Sequence, residues 1–61
     1  MNKIEIIKIK RVLGYYEITV LINDIREEMI EVIKRDKTLL IERLGNQDID
    51  DQIRKKLSSL L

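Results

Sequence analysis

The sequence predicts a small α+β protein in which an antiparallel β-hairpin is followed by two helices, a ββαα order. Three observations lead to this fold class. Strand-favouring Ile, Val and Tyr are common before residue 23. Segments 25–44 and 48–60 instead repeat their apolar residues with a helical period. Gly14 and Gly45 are the only glycines and divide the chain into these pieces. At 61 residues, we predict one small domain.

The first piece, residues 3–22, is predicted to be a hairpin that turns at Leu13 and Gly14. If Val12 faces Tyr15, the pairing gives one apolar face and one mostly polar face. Three apolar residues do not fit, because they fall on the polar face at the end away from the turn: Ile4, Ile6 and Leu21. We therefore expect a second surface to cover that end.

The second piece, residues 25–44, is predicted to be one long amphipathic helix. Its apolar residues fall within an arc of roughly 200°, which is an unusually wide stripe. Asp24 suits the N-cap position, and Glu27 follows three residues later as in a capping box. Gly45 suits the left-handed residue that ends many helices.

An alternative interpretation makes the same segment a second hairpin. Its strands would be residues 28–35 and 38–44, with a turn at Asp36 and Lys37. The β-branched residues favour this interpretation, and so does the position of Asp36 inside the apolar arc of the helix. The alternative fold is then a four-stranded antiparallel sheet followed by a C-terminal helix.

The third piece, residues 48–60, is predicted to be a shorter helix with one apolar face. Asp48 is a candidate N-cap, and Asp50 and Asp51 lie in the first turn. Carboxylates at this position interact favourably with the helix dipole. We therefore interpret the three aspartates as helix-stabilising residues and predict no metal site.

The composition argues against catalysis. The chain has neither Cys nor His, and His is the commonest acid–base catalyst and metal ligand. The hydroxyl side chains lack a base to activate them, and there is no glycine-rich phosphate loop. We predict that the protein is not an enzyme and has no cofactor and no small-molecule substrate.

One hypothesis for the function, which we rank second, is a dimeric DNA-binding regulator that uses the basic hairpin. Although the net charge is only +1, four basic residues lie near the N-terminus: Lys3, Lys8, Lys10 and Arg11. Residues 17–24, followed by residues 25–29, also resemble the strand-to-helix passage of ribbon-helix-helix repressors. That resemblance implies a strand that pairs across a dimer and enters the major groove. A preceding strand and a longer helix depart from the family pattern, so we do not assign the chain to it.

The hypothesis that we rank first is a non-catalytic protein-binding module. A chain this short buries only about 60% of the surface that its unfolded form exposes, and without disulfides or a metal it often depends on a partner chain. We expect a homodimer or docking on a larger protein, as a regulator or inhibitor from a phage or other mobile element. No membrane contact is expected, and the location is predicted to be cytoplasmic. The predicted interface comprises seven apolar residues: Ile4, Ile6, Leu21, Ile30, Ile41, Leu60 and Leu61.

Overall fold

The computed structural model describes residues 2–61 and shows one four-stranded antiparallel sheet with one helix on it. In chain order, the elements are β1 (Ile4–Val12), β2 (Tyr15–Ile22), β3 (Arg26–Arg35), β4 (Thr38–Ile41) and α1 (Gln47–Leu60). The strands lie side by side in that same order, so β1 and β4 form the two edges of the sheet. Within residues 2–61, no helix has the length and apolar character needed to cross a membrane.

The predicted ββαα order is wrong, because residues 25–44 form the second hairpin and not a helix. The alternative interpretation placed the turn correctly, since Arg35 pairs with Thr38 around Asp36 and Lys37. Asp36 has a φ of 52°, a left-handed conformation that Asp tolerates better than most residues. Its position in the apolar arc of the expected helix was therefore a sign of the turn.

The turn between β2 and β3 explains why the expected helix does not begin at Asp24. Asn23 and Asp24 both have positive φ, 54° and 61°. The N–H of Ile25 donates to the carbonyl of Ile22 at 3.2 Å, which closes a tight turn. Turns with two left-handed central residues suit the twist of a hairpin, and Asn and Asp are common there. Because the chain continues as a strand, the ribbon-helix-helix resemblance does not extend to the structure.

The first hairpin is confirmed near its turn, where Val12 pairs with Tyr15 and Lys10 with Glu17. Farther along, the pairing shifts by one residue between Ile6 and Lys8, so Ile7 has no partner of its own. This β-bulge reverses the side-chain alternation of the strand. It therefore moves the start of β1 onto the buried face of the sheet.

The bulge accounts for two of the three apolar residues that did not fit the predicted register. Ile4 pairs with Ile22 and Ile6 with Val20, and both pairs lie on the face that the helix covers. Leu21 pairs with Glu5 and stays on the other face, where it is half-buried. The expected second surface is therefore wrong: Ile4 and Ile6 join the one face that the helix covers, and within residues 2–61 no helix or strand covers the face that holds Leu21.

The core lies between the sheet and the apolar side of α1. It contains ten buried residues: Ile4, Ile18, Val20, Ile22, Ile30, Val32, Leu39, Ile49, Ile53 and Leu57. The predicted C-terminal helix is confirmed, although its N-cap is Asn46 and not Asp48. The Asn46 Oδ1 accepts a hydrogen bond from the N–H of Ile49 at 3.1 Å, as N-cap side chains commonly do.

Asp48 has a different role, because it attaches the start of the chain to the helix. Its Oδ2 accepts from the side-chain amides of Asn2 at 2.8 Å and Gln52 at 3.0 Å. The Gln52 amide also donates to the carbonyl of Asn2 at 2.8 Å. The hydrogen bond from the Asn2 side chain is the main cause of a lowered pKa for the Asp48 carboxyl.

We expect Asp48→Ala to destabilise the protein at neutral pH, with an effect that becomes smaller in acid. Because the pKa of the folded Asp48 lies below its unfolded value, its stabilisation is present above the unfolded pKa. That stabilisation is lost as the pH falls through the lower, folded pKa. Urea unfolding at pH 7 and pH 3 measures the difference. Asp51→Ala changes an exposed residue on the same helix and is the control; it should cost less stability at pH 7 than Asp48→Ala, and an equal loss would contradict this role.

Candidate interaction surfaces

The two faces of the sheet differ because a single helix covers only one of them. We call the uncovered side the open face; it holds the residues that alternate with the buried ones on each strand. Three large apolar residues on this face keep much of their surface in solvent: Met29 at 62%, Ile33 at 39% and Leu40 at 49%. Ile33 and Leu40 are direct cross-strand partners, so they form a continuous apolar patch on β3 and β4.

Carboxylates occupy the middle of the open face. Glu17 lies directly opposite Glu31, and like charges in this position are destabilising. Glu42 extends the row, since its carboxylate oxygen accepts from the backbone N–H of Glu31 at 3.1 Å. Desolvation, and then the charges of Glu17 and Glu31, raise the pKa of the neighbouring Tyr15 hydroxyl. The centre of this face is therefore negatively charged.

The structure does not bring the four predicted nucleic-acid contacts together. Lys3 lies near the β2–β3 turn, where its Nζ is 3.1 Å from a Glu5 oxygen and 3.2 Å from an Asp24 oxygen. Hydrogen bonds to those two carboxylates raise the pKa of Lys3. Lys8 and Lys10 share the open face with the glutamates. The fourth, Arg11, pairs with Tyr16 and belongs to the opposite face.

The outer side of β1 forms a second free surface, made of backbone groups. In an antiparallel pair, successive residues direct their N–H and C=O alternately toward the partner strand and away from it. The backbone groups of Lys3 point toward β2, because its carbonyl accepts a hydrogen bond from the N–H of Asn23 at 2.8 Å. Val12 also points toward β2, because a two-residue turn joins it to Tyr15.

Counting inward from these two ends identifies the residues that point away from β2. Four residues direct their backbone groups to this side of β1, which we call the free edge: Ile4, Ile6, Ile9 and Arg11. Ile4 is only 3% exposed, so the other three are the ones open to a partner. Within residues 2–61, no hydrogen bond from outside the β1–β2 ladder reaches the backbone of these four. Ile9 pairs with the buried Ile18, yet 41% of its surface remains exposed. The free edge thus combines unpaired backbone groups with an uncovered apolar side chain.

The seven predicted interface residues separate into three groups. Ile4 and Ile30 are buried in the core, so a partner cannot reach them. Four others are half-buried: Ile6, Leu21, Ile41 and Leu61. Leu60 is 58% exposed at the end of α1 and remains available to a partner.

The predicted interface omitted seven exposed apolar residues: Ile7, Ile9, Met29, Ile33 and Leu40 on the strands, and Leu13 and Ile25 in turns. A signal for Met29 and Ile33 was present, since each alternates with a residue that the structure buries, Ile30 and Val32. This two-residue period was outweighed by the helical period of the same segment. The exposure of Ile9 depends on where α1 crosses the sheet and has no signal in the local sequence.

A shallow depression lies between the loop that follows β4 and the start of α1, and its lining includes Arg43, Asp50 and Arg54. Its polar groups hold the loop in place. Asp50 accepts from the N–H of Leu44 at 2.9 Å, and Arg54 donates to the carbonyl of Leu39 at 3.2 Å. Within residues 2–61, no group of three or more carboxylate side chains is arranged to hold a metal ion.

A scan against protein-family models, a search of curated proteins and a search of solved structures each found no match to this chain. The fold and its surfaces are therefore interpreted from their own geometry and chemistry.

Proposed function

We propose that the chain is a non-catalytic protein-binding module that associates with a second copy of itself. The observation that carries this proposal is the incomplete cover of the sheet. One helix protects one face, while Met29, Ile33 and Leu40 on the open face and Ile9 on β1 remain exposed. Ile33 and Leu40 are adjacent, and contiguous exposed apolar patches often mark interaction sites.

A role as a regulator or inhibitor is consistent with this proposal, because such proteins act by contact alone. Docking on a larger protein would use the same exposed residues and is the other form of the proposal. The cytoplasmic location remains a prediction from the high charge and the absence of cysteine.

The molar mass in solution tests self-association directly. We expect light scattering to give about twice the chain mass of 7.3 kDa at high micromolar concentration. The mass should fall toward that of one chain on dilution, because association of two chains depends on their concentration. A mass of one chain at every concentration would contradict self-association.

The DNA-binding hypothesis has weaker support, because carboxylates share the open face with Lys8 and Lys10. Binding to duplex DNA in the same buffers, measured by fluorescence anisotropy, separates the two hypotheses. Affinity that falls steeply between low and moderate salt would favour the DNA-binding regulator.

A further inference from the structure

We propose that the free edge of β1 pairs antiparallel with the same edge of a second copy. A two-fold axis relates the two strands, and Ile6 of each copy lies opposite Ile9 of the other. The two sheets then join into one sheet of eight strands, with both helices on the same side. This inference rests on the proposed self-association and names the surface that carries it.

The backbone geometry selects this register. A two-fold axis must place each edge-directed residue of one strand opposite an edge-directed residue of the other. Pairing Ile6 of each copy with Ile9 of the other meets this condition at the two edge-directed residues in the middle of the strand. Sliding the partner strand by two residues in either direction places Ile6 or Ile9 opposite a residue that does not direct its backbone groups to the edge. A single register therefore satisfies every free backbone group in the central part of the strand.

The bulge at Ile7 makes the side chains agree with that register. In a regular strand, residues 6 and 9 would lie on opposite faces, and they could not meet across a strand pair. The bulge places both on the face that α1 covers. The exposed Ile9 of one copy then packs against the half-buried Ile6 of the other, twice in each dimer.

The charges on the open face of the sheet also fit this register. The same register places Glu5 opposite the partner's Lys10 on the open face, and the symmetry repeats this pair. Lys8 faces Ile7 of the other copy, so the two Lys8 side chains do not oppose each other directly. Opposite charges in directly facing positions stabilise strand pairs. Lysines and a bulge can also protect an edge strand from pairing with another chain. Exchanging the charges of Glu5 and Lys10 distinguishes an edge that pairs from an edge that is protected.

Charge exchange tests the pairing. Glu5→Lys places a second lysine opposite Lys10 in its own dimer, and Lys10→Glu places a second glutamate opposite Glu5. We expect each variant alone to dimerise about tenfold or more weakly than the original chain. An equimolar mixture should recover dimers, because only in the mixed dimer are the facing pairs across the interface free of like charges. Native mass spectrometry with one variant isotope-labelled counts mixed and unmixed dimers, and circular dichroism confirms folding.

Glu31→Lys is the matched control, because it makes the same change on the same face two strands from the edge. It should leave dimerisation unchanged. If the original chain dimerises and only Glu31→Lys weakens it, the open face and not the β1 edge is the interface, so this inference fails while self-association stands. If the original chain stays monomeric at every concentration, both the β1-edge pairing and self-association are contradicted.

Disulfide trapping gives a second measurement that does not depend on charge, and the chain has no cysteine of its own. Facing residues that are not hydrogen-bonded lie about 4.5 Å apart at Cα, within disulfide reach. We expect a mixture of Glu5→Cys and Lys10→Cys chains to form a mixed disulfide. Neither variant alone should cross-link, because identical positions lie about 16 Å apart along the strand. Equal cross-linking in all three samples would overturn the register.

Discussion

Replacing Ile30 with alanine is expected to remove a large share of the free energy of unfolding, whereas the same change at Ile33 removes little of it. Both residues lie on β3, but Ile30 is fully buried under α1 and Ile33 lies on the open face. Truncating a buried Ile to Ala removes about 2–5 kcal/mol of stability. A chain of this size has a free energy of unfolding of only about 3–9 kcal/mol.

The comparison measures free energies of unfolding by urea titration followed by circular dichroism. We expect the Ile30→Ala effect to exceed the Ile33→Ala effect by about 2 kcal/mol or more. The pair of variants also tests the strand assignment, since residues three positions apart on a helix share a face. Equal losses at Ile30 and Ile33 would contradict a strand with one buried face.

The second large effect is expected at Leu57, which is fully buried between α1 and the sheet. Leu57→Ala should remove about 2–5 kcal/mol, because the helix supplies only three buried residues and one of them becomes a cavity. The other two are Ile49 and Ile53, on preceding turns of the helix. Losing one of these contacts therefore weakens the only cover over the inner face of the sheet within residues 2–61.

Leu60→Ala is the control, because Leu60 is the same residue type on the same helix and remains mostly exposed. In dilute, monomeric solution its loss should stay within about 0.5 kcal/mol, as for most surface substitutions. A large loss at Leu60 and a small one at Leu57 would show that the helix packs through a different face.

Several elements were predictable because their signals are local. The turn at Leu13 and Gly14 follows from glycine's tolerance of positive φ, which is 91° here. The helix at the C-terminus follows from one apolar face and a polar start. The exclusion of thiol and imidazole chemistry follows from composition alone.

Local signals did not decide whether residues 25–44 form a helix or a hairpin. The segment has a wide apolar arc when wound as a helix and an alternating pattern when extended, so both periods fit its composition. The structure selects the strand because β2 already presents Ile18 and Val20 beside it. Pairing with β2 satisfies the backbone and brings Ile30 and Val32 under α1. These contacts are between segments, and no window of sequence contains them.

The candidate surfaces divide in the same way. The basic residues near the N-terminus are visible in the sequence, but their dispersal to two faces and a turn depends on the register of β1 and β2. The bulge at Ile7 decides that register, since one unpaired residue exchanges the faces of everything before it. Whether Ile4 is core or surface therefore depends on a single irregularity in the pairing.

By itself, the sequence determined the hairpin turn, the C-terminal helix and the absence of cysteine and histidine chemistry, because each depends on residue type or short-range periodicity. Only the tertiary structure decided that the middle segment is a hairpin, that Ile4 and Ile30 are core residues, and that Ile9 is left exposed on a free edge. The physical reason is that burial and strand pairing are properties of distant segments in contact, and the balance between two local patterns is settled by those contacts.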